Sequence, residues 1–203
     1  SALCAKRLDG IPIAYLLGER EFWSLPLRVT PDVLIPRPDT ELIVMWALEL
    51  ARQTSASRLL DLGTGSGAIA LALATELPEC AVTAVDRSIG ALTVARDNAQ
   101  RLGLDIETIE SDWFYALAGR QWPLIVSNPP YIRADDPHLS QGDLPAEPQS
   151  ALVAGPQGLD CLSEIICASG HHLTPDGWLL LEHGWDQASQ VRDRLLGPVG
   201  FRD

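Results

Sequence analysis

Short apolar runs alternate with longer amphipathic or alanine-rich segments along most of the chain. Such short runs are typical of buried strands, and the segments between them have the length of helices. The pattern predicts strands at 58–62, 81–86, 106–110, 123–127 and 178–182, with helices at 42–51, 67–76, 89–102 and 158–169. Repeated strand–helix units predict an α/β fold with a doubly wound, mainly parallel sheet and right-handed crossovers.

The segment before these units has a different pattern. Residues 1–9 have the character of a helix that ends at Gly10-Ile-Pro12. Between 14 and 29, apolar runs flank Gly18-Glu19-Arg20, which predicts a β-hairpin or a pair of short strands. A polar, proline-rich stretch at 132–152 also interrupts the later units, and a long loop of this kind beside a site is usually functional.

A glycine-rich loop, D-L-G-T-G-S-G over 61–67, joins the first predicted strand to an alanine-rich helix. Glycines let a ligand approach the backbone, and the next strand ends in Asp86, which is placed for ribose hydroxyls. The spacing is G-x-G-x-G rather than the dinucleotide G-x-G-x-x-G, and Asp61 would repel a pyrophosphate. A cofactor with a ribose and a cationic amino-acid end fits better, which indicates S-adenosylmethionine. A purely structural glycine turn is the alternative.

The loop Ser127-Asn-Pro-Pro-Tyr131 follows the strand predicted at 123–127. Two prolines remove two backbone donors and restrict φ, so the loop is stiff. A stiff loop at the end of a strand can hold one side-chain amide and one carbonyl where they bind a planar NH2 group. An ordinary Asn-Pro turn is the alternative, and the glycine-rich loop upstream favours the functional interpretation.

Composition narrows the class of protein. The chain has 203 residues, 46% hydrophobic and 21% charged, which suits one globular domain. Its net charge of −12 argues against a duplex nucleic acid as substrate, because proteins that bind duplexes usually present a basic surface. The four cysteines form no C-x-x-C or Cys/His cluster with metal-ligand spacing, so we expect no metal and buried thiols in a reducing cytoplasm. No apolar segment of about 20 residues suggests a membrane span.

With these motifs in place, the chain resembles the class I methyltransferases, whose fold is Rossmann-like. More narrowly, it is similar to the N5-glutamine methyltransferases that modify peptide chain release factors. The resemblance covers essentially the whole chain and rests on segments 21–27, 34–41, 60–68, 84–86, 111–114, 127–131 and 181–184. Enzymes that methylate adenine or cytosine carry similar Asn-Pro-Pro-Tyr loops. The Ile-Pro-Arg-Pro-Asp-Thr-Glu stretch within 34–41, with the Phe-Trp pair before it, therefore narrows the match.

The resemblance also implies a domain organisation. Family members carry a small helical domain ahead of the catalytic one, and their sheet ends with two further strands. We therefore expect residues 1–12 to be the remnant of that helical domain and 13–33 to form a β-hairpin linker. Residues 34–203 would form the catalytic domain, with its last strands missing because the chain reaches 201–203 where another strand should begin.

The implied reaction transfers a methyl group from S-adenosylmethionine to the glutamine side-chain nitrogen of a Gly-Gly-Gln motif, leaving S-adenosylhomocysteine. The Asn128 side-chain oxygen and the Pro129 carbonyl would each accept one N–H of that amide. Tyr131 would pack against its plane, although a plain core aromatic is the alternative. The expected catalytic residues are thus Asn128, Pro129 and Tyr131, and Pro130 joins them as a substrate-binding residue.

The expected cofactor-binding residues are Asp61, Gly63, Thr64, Gly65, Ser66, Gly67, Asp86, Asp112, Trp113 and Asn128. The glycine loop would contact the methionine end, Asp61 its ammonium and Asp86 both ribose hydroxyls. Asp112 and Trp113 resemble the family's adenine-contacting pair, with a helix cap as the alternative for Asp112. Phe22 and Arg37 lie in family-like segments near the cofactor, and bracing of the hairpin is the alternative for Arg37.

Release factors are therefore the expected partners of a cytoplasmic, monomeric enzyme that contacts neither nucleic acid nor membrane. A second hypothesis is an adenine or cytosine amino-methyltransferase acting on DNA or RNA, which would need base flipping and a basic groove. A third is a non-catalytic module that binds S-adenosylmethionine, against which the intact Asn128 and glycine loop argue. The glycine spacing disfavours a nicotinamide dehydrogenase.

Overall fold

The computed structural model describes residues 2–197 and residue 201. In chain order its helices and strands are α1 (Ala2–Leu8), α2 (Ile13–Leu17), β1 (Glu19–Phe22), β2 (Leu25–Arg28), α3 (Glu41–Thr54), β3 (Arg58–Leu62), α4 (Ala68–Glu76), β4 (Ala81–Asp86), α5 (Ile89–Leu102), β5 (Glu107–Glu110), β6 (Trp122–Ser127), α6 (Asp160–Ser169), β7 (Leu173–Leu181) and α7 (Ala188–Leu196). The loop at 132–152 contains three short 3-10 turns, Pro137–Ser140, Leu144–Ala146 and Gln149–Ala151.

Five parallel strands form the central sheet in the order β5-β4-β3-β6-β7. From β3 the chain moves outward through β4 to β5 and then returns to the other side of β3 as β6. Open α/β sheets bind ligands at such a switch point, outside the carboxyl ends of the strands. The predicted fold class is therefore confirmed. The strand order predicts a ligand site at the carboxyl ends of β3, β4 and β6.

Apolar side chains cover both faces of the sheet. Leu59 of β3 packs with α3 and α4, whereas its neighbours Leu60 and Leu62 pack on the other face with Ile165 of α6. Successive side chains of a strand point to opposite faces, which explains this division. Helix α4 is buried throughout residues 68–74. A helix enclosed on all sides needs no polar face, which accounts for its run of alanine and leucine.

The hairpin is confirmed, but it is shorter than predicted. Residues 14–17 belong to helix α2, which ends at Gly18 with a φ of 74°. Strands β1 and β2 follow, joined at Trp23 and Ser24, whose φ values are 53° and 59°. A two-residue type I′ turn requires positive φ at both central residues. Because tryptophan and serine do not signal that conformation, the turn was predicted at Gly18-Glu19-Arg20 instead.

Two later elements also begin at other positions than predicted. Helix α6 begins at Asp160 rather than 158, and β7 begins at Leu173 rather than 178. The early part of β7 contains Pro175, which an edge strand tolerates because one row of its backbone groups is unpaired. The further strand predicted after residue 201 falls outside the described residues.

The expectation of four buried cysteines is wrong. Cys4 and Cys167 are exposed, and Cys80 and Cys161 are half-buried. Across residues 2–197 and 201, the structure shows no group of three or more His, Cys, Asp or Glu side chains that could hold a metal ion. In the same part of the chain, no helix combines the length and the apolar character that crossing a membrane would take.

Candidate active site

A pocket of about 970 Å³, its open mouth included, lies at the carboxyl ends of β3, β4 and β6. This is the position that the strand order indicates. The predicted site residues that line it are Gly63, Thr64, Gly65, Ser66, Asp86, Asp112, Trp113, Asn128 and Pro130. The others, Asp61, Gly67, Pro129 and Tyr131, do not line it, although each is within two positions of a residue that does.

Asp86 joins the glycine loop to the end of β4. Its Oδ2 accepts the Gly65 N–H at 2.9 Å, and its Oδ1 accepts the Ser88 N–H at 2.9 Å. The N–H groups of Gly63 and Thr64 both donate to the Val85 carbonyl, at 2.8 and 2.9 Å. Burial raises the pKa of Asp86, and the two N–H donors oppose that rise. The loop is therefore fixed by donors that leave both carboxylate oxygens with unused lone pairs.

The glycines of this loop have conformational and steric reasons to be glycine. Gly67 has a φ of 84°, and a Cβ there would lie 3.0 Å from Leu71 Cδ1 and 3.3 Å from Ala95 Cβ. Gly65 has a φ of 56° and would direct a Cβ into open space. Left-handed φ strains any residue with a Cβ. Gly67 thus permits close packing of α4 on α5, whereas Gly65 leaves room beside the backbone on the pocket side.

Asp61 lies beneath the loop with 1% of its surface exposed. Its Oδ2 accepts hydrogen bonds from Thr64 Oγ1 at 2.7 Å and from the Ala70 N–H at 3.2 Å. Its Oδ1 is buried and has no hydrogen-bond partner. Burial raises the pKa of Asp61 to about 7, against the lowering effect of the Thr64 and Ala70 hydrogen bonds. A buried acceptor without a donor is costly, so this atom is poised to gain one from a ligand.

Asn128 lines the pocket at the end of β6 with a defined amide orientation. Its Nδ2 donates to Thr40 Oγ1 at 3.0 Å, and Thr40 is itself buried and lines the pocket. No described residue donates a hydrogen bond to Asn128 Oδ1. The preceding Ser127 donates from Oγ to the Leu62 carbonyl at 2.7 Å, which ties the ends of β6 and β3 together. The amide oxygen of Asn128 is consequently held as an available acceptor.

Tyr131 does not line the pocket. Its ring packs against the cluster that contains Leu159 and Leu162, and its hydroxyl donates to Glu182 Oε1 at 3.0 Å. Burial, reinforced by the neighbouring Glu182, raises the pKa of Tyr131. Glu182 follows β7, and its Oε2 is buried without a partner. The predicted packing of Tyr131 on a substrate amide stays a prediction, and its visible role is to anchor the end of the loop.

Asp112 and Trp113 lie at the end of β5, opposite the Asn128 side of the pocket. Trp113 has a φ of 44°, and its ring lies 3.4 Å from where a Cβ on Gly63 would be. The Asp112 carbonyl accepts the Tyr115 N–H at 3.0 Å, and Phe114 rather than Asp112 is the N-cap of the short 3-10 turn Tyr115–Leu117. Asp112 is exposed and lines the pocket, and the indole of Trp113 forms a wall beside the glycine loop.

Sequence reasoning missed an ion pair at the pocket mouth in which the carboxylate is buried and the arginine is partly exposed. Arg37 lines the pocket and forms a salt bridge with Glu147, whose side chain is 0% exposed. Glu147 also accepts the Ile35 N–H at 3.0 Å. Through these two bonds, Glu147 connects segment 34–37 to the loop at 132–152. No local sequence pattern indicates this connection. Phe22, also noted near the cofactor in the sequence, is instead buried in the core at 1% exposure and does not line the pocket.

Comparison with known proteins identifies the class. Residues 42–142 match the family model described as the methyltransferase small domain. The fold is similar to that of a 16S rRNA methyltransferase of T. thermophilus, solved in complex with AdoMet and guanosine. The TM-score is 0.63 at 18% identity, over 86% of this chain and 44% of that one. The fold and the position of the pocket define a class I methyltransferase.

Two relatives narrow the class to a family. The release factor glutamine methyltransferase of Escherichia coli (strain K12) is 54% identical over 203 residues, which are 100% of this chain and 73% of that protein. The protein of the same description in Pseudomonas aeruginosa is 56% identical over 198 residues, or 97% and 71%. The chain belongs to the release factor glutamine methyltransferase family, which confirms the resemblance inferred from the sequence.

Proposed function

We propose that the chain transfers a methyl group from S-adenosylmethionine to the glutamine side-chain nitrogen in the Gly-Gly-Gln motif of peptide chain release factors. The observation that carries this proposal is the Asn128 amide. Thr40 orients it so that its oxygen stays available beside the glycine loop. Membership of the family, at 54% identity over the whole chain, supports release factors as the substrate.

The pocket fits S-adenosylmethionine, which supplies an electrophilic methyl group on a sulfonium when bound. The cationic ammonium of its methionine end would give the buried Asp61 Oδ1 the partner that it lacks. Each oxygen of Asp86 accepts a single backbone N–H and keeps capacity for a ribose hydroxyl. Gly65 leaves space for the ligand beside the backbone, and Trp113 offers a flat apolar wall for the adenine.

The chain's task in the reaction is to orient a poor nucleophile. The lone pair of an amide nitrogen is delocalised into its carbonyl, as in the peptide bond. Asn128 Oδ1 and the Pro129 carbonyl can each accept one N–H of the glutamine, which fixes the plane of its NH2 group and directs the lone pair at the methyl carbon. Holding such a near-attack geometry can contribute up to roughly 7–11 kcal/mol. S-adenosylhomocysteine is then the second product.

The site needs no strong general base. The amide proton becomes acidic only as the new N–C bond forms and the S–C bond of the sulfonium breaks, so it can pass to solvent late in an in-line displacement. Tyr131 stays protonated at neutral pH because burial and Glu182 raise its pKa, so its hydroxyl is no base. Asp61 lies beneath the glycine loop, where it accepts the Thr64 hydroxyl and would face the ammonium of the cofactor rather than the glutamine. Catalysis therefore rests on the two acceptors of the Asn-Pro-Pro-Tyr loop.

The charge of the chain also fits a protein substrate better than a polyanion. The net charge is −12, and the pocket mouth carries Asp32 and Asp112 as well as Arg37 and Arg87. Nucleic-acid sites are usually basic. A release factor as substrate implies a cytoplasmic enzyme that contacts neither nucleic acid nor membrane, and we propose that it acts as a monomer.

Replacing the acceptor tests the proposal. Asn128→Ala should lower kcat on a purified release factor by roughly 100- to 1000-fold, the range typical of losing one group that stabilises a transition state. The Kd for S-adenosylmethionine, measured by calorimetry, should change by less than about threefold because Asp61 and Asp86 remain. Turnover that survives the substitution would contradict the proposed role of Asn128.

A further inference from the structure

Gln187 is a buried amide that three parts of the chain share. It is 6% exposed and stands directly before α7. Its Nε2 donates to the Tyr131 carbonyl at 3.0 Å and to the Gly158 carbonyl at 3.1 Å. Its Oε1 accepts the Gly184 N–H at 2.8 Å. One side chain thus joins the end of the Asn-Pro-Pro-Tyr loop to the segment before α6 and to the segment after β7.

The packing around this amide leaves little freedom. Gly158 has a φ of 71°, and a Cβ there would lie 2.3 Å from the Tyr131 carbonyl oxygen and 2.9 Å from Gln187 Nε2. The Gln187 N–H also donates to the Gly184 carbonyl at 3.0 Å, which closes the turn from 184 to 187. The Tyr131 carbonyl therefore accepts a hydrogen bond from Gln187 and is also in close contact with Gly158.

The composition of the loop explains why it needs such a tie. Pro129 and Pro130 have no N–H, so the loop cannot be anchored through backbone donors at these positions. Its fixed points are instead the Asn128 side chain on Thr40 at one end and, at the other, Tyr131, whose carbonyl accepts from Gln187 and whose hydroxyl donates to Glu182. The Pro129 carbonyl lies between the two.

We propose that Gln187 is a positioning residue for glutamine methylation: through the Tyr131 carbonyl, it holds the Asn-Pro-Pro-Tyr loop in the orientation that presents Asn128 Oδ1 and the Pro129 carbonyl to the substrate. The inference rests on the proposed function. It assigns to Gln187 an effect on the rate of methyl transfer, not on cofactor binding, because none of its side-chain hydrogen-bond partners, Gly184, Tyr131 and Gly158, lines the pocket.

A near-isosteric variant, Gln187→Met, tests this role in the full chain. It removes all three side-chain hydrogen bonds while retaining volume. We expect kcat on a release factor to fall roughly 10- to 100-fold, since a displacement of about 1 Å can cost 100-fold. The Kd for S-adenosylmethionine should stay within about twofold of the wild-type value. An unchanged kcat, or a Kd that rises in proportion as kcat falls, would overturn the proposal.

Asn98 offers a matched contrast. It is buried like Gln187, and its Nδ2 donates to the carbonyls of Arg28 and Ser66 at 3.0 and 2.9 Å. Its Oδ1 accepts the Arg28 N–H at 2.7 Å. Asn98→Leu therefore also removes three hydrogen bonds of a buried amide, but at the glycine loop. Asn98→Leu should raise the Kd for S-adenosylmethionine, whereas Gln187→Met should not. Equal effects of the two variants on Kd and on kcat would indicate a general loss of stability and would contradict the positioning role of Gln187.

Gln187→Glu supplies a rescue experiment. The carboxylate keeps an acceptor for the Gly184 N–H but faces the carbonyls of Tyr131 and Gly158, which raise its pKa and disfavour its charge. Once protonated, it can donate to one of them. The ratio of kcat for Gln187→Glu to wild type should therefore rise several-fold between pH 8.5 and pH 6. A ratio that does not depend on pH would contradict the positioning role.

Folding and activity are separated by two controls. Circular dichroism and thermal melts establish whether the variants are folded, and loss of the fold in both Gln187 variants would assign the residue to stability alone and overturn the proposal. Amide exchange at Ile132, whose N–H donates to the Leu152 carbonyl, should accelerate in Gln187→Met but not in Asn98→Leu. Amide exchange is measured without substrate, so it tests the contact made by Gln187 even if the wild-type protein does not methylate release factors. Such inactivity of the wild type would refute the proposed function itself.

Discussion

Replacing Asp61 by asparagine should stabilise the ligand-free protein at alkaline pH and remove its affinity for S-adenosylmethionine. The carboxyl is 1% exposed, and Oδ1 has no partner. Asparagine retains an oxygen for the Thr64 hydroxyl and the Ala70 N–H but carries no charge to desolvate. It also removes the negative charge that the ammonium of the cofactor would meet.

The magnitude follows from the pKa of Asp61. Burial raises it from 3.8 to about 7. A difference of about 3 pKa units between the folded and unfolded states lowers the free energy of unfolding by about 4 kcal/mol once the carboxyl is ionised in both. The NH2 group of asparagine would occupy the place of Oδ1 without a partner, at a cost of about 1–3 kcal/mol. The net gain in the free energy of unfolding should therefore be about 1–3 kcal/mol.

The pH dependence has a defined sign. Well below pH 3.8, Asp61 is protonated in both states, and its raised pKa does not lower the stability of the folded protein. As pH rises toward 7, the unfolded chain loses this proton while the folded protein keeps it, so the stability of the wild type falls relative to the variant. Above about pH 7, both states are ionised and the difference becomes constant.

Urea denaturation of wild type and Asp61→Asn at pH 5 and pH 8 tests this reasoning, because other titrating groups cancel in the difference between the two proteins. The free energy of unfolding should favour the variant more at pH 8 than at pH 5, and calorimetry should detect no binding of S-adenosylmethionine to it. A difference that is the same at both pH values, or a variant that binds the cofactor normally, would refute the assignment of Asp61.

Two further substitutions test contacts at the pocket. Thr40→Val should lower kcat about tenfold because Asn128 Nδ2 loses its acceptor and the amide can rotate. Thr40→Ser keeps the hydroxyl, and its kcat in steady-state kinetics should stay close to the wild-type value. Equal rates for the two variants would exclude an orienting role of Thr40. Arg37→Met should lower the free energy of unfolding by about 3 kcal/mol because Glu147 stays buried without its ion-pair partner. In urea titrations, Arg37→Lys should lower the free energy of unfolding by less than Arg37→Met does. An Arg37→Met variant as stable as the wild type would show that the ion pair does not hold segment 34–37.

The sheet and the centre of the site could be predicted from the sequence because their signals are local. Asp86 and Asn128 each stand at or directly after an apolar run, and the carboxyl ends of parallel strands meet at one edge of a sheet. The glycine loop is continuous in the chain, and its first glycine, Gly63, directly follows β3. Right-handed crossovers then leave few arrangements for these segments.

The supporting contacts could not be predicted, since their partners are distant in the chain. Glu147 bonds to a backbone N–H 112 positions away, and Gln187 to a carbonyl 56 positions away. Neither belongs to a periodic pattern or a motif. The turn at Trp23 and Ser24 escaped prediction for another reason: both residues have positive φ, a conformation for which neither side chain has a local preference.

The most direct test of the account is the identity of the methyl acceptor. The protein would be incubated with methyl-labelled S-adenosylmethionine, purified release factors and a mixture of tRNA, rRNA and DNA, with the Asn128→Ala variant as control. We expect label only on the glutamine of the Gly-Gly-Gln peptide, located by mass spectrometry, and a labelling rate at least about 100-fold lower with the variant. Label on nucleic acid would contradict the glutamine assignment and show that the Asn-Pro-Pro-Tyr loop binds a base amine instead.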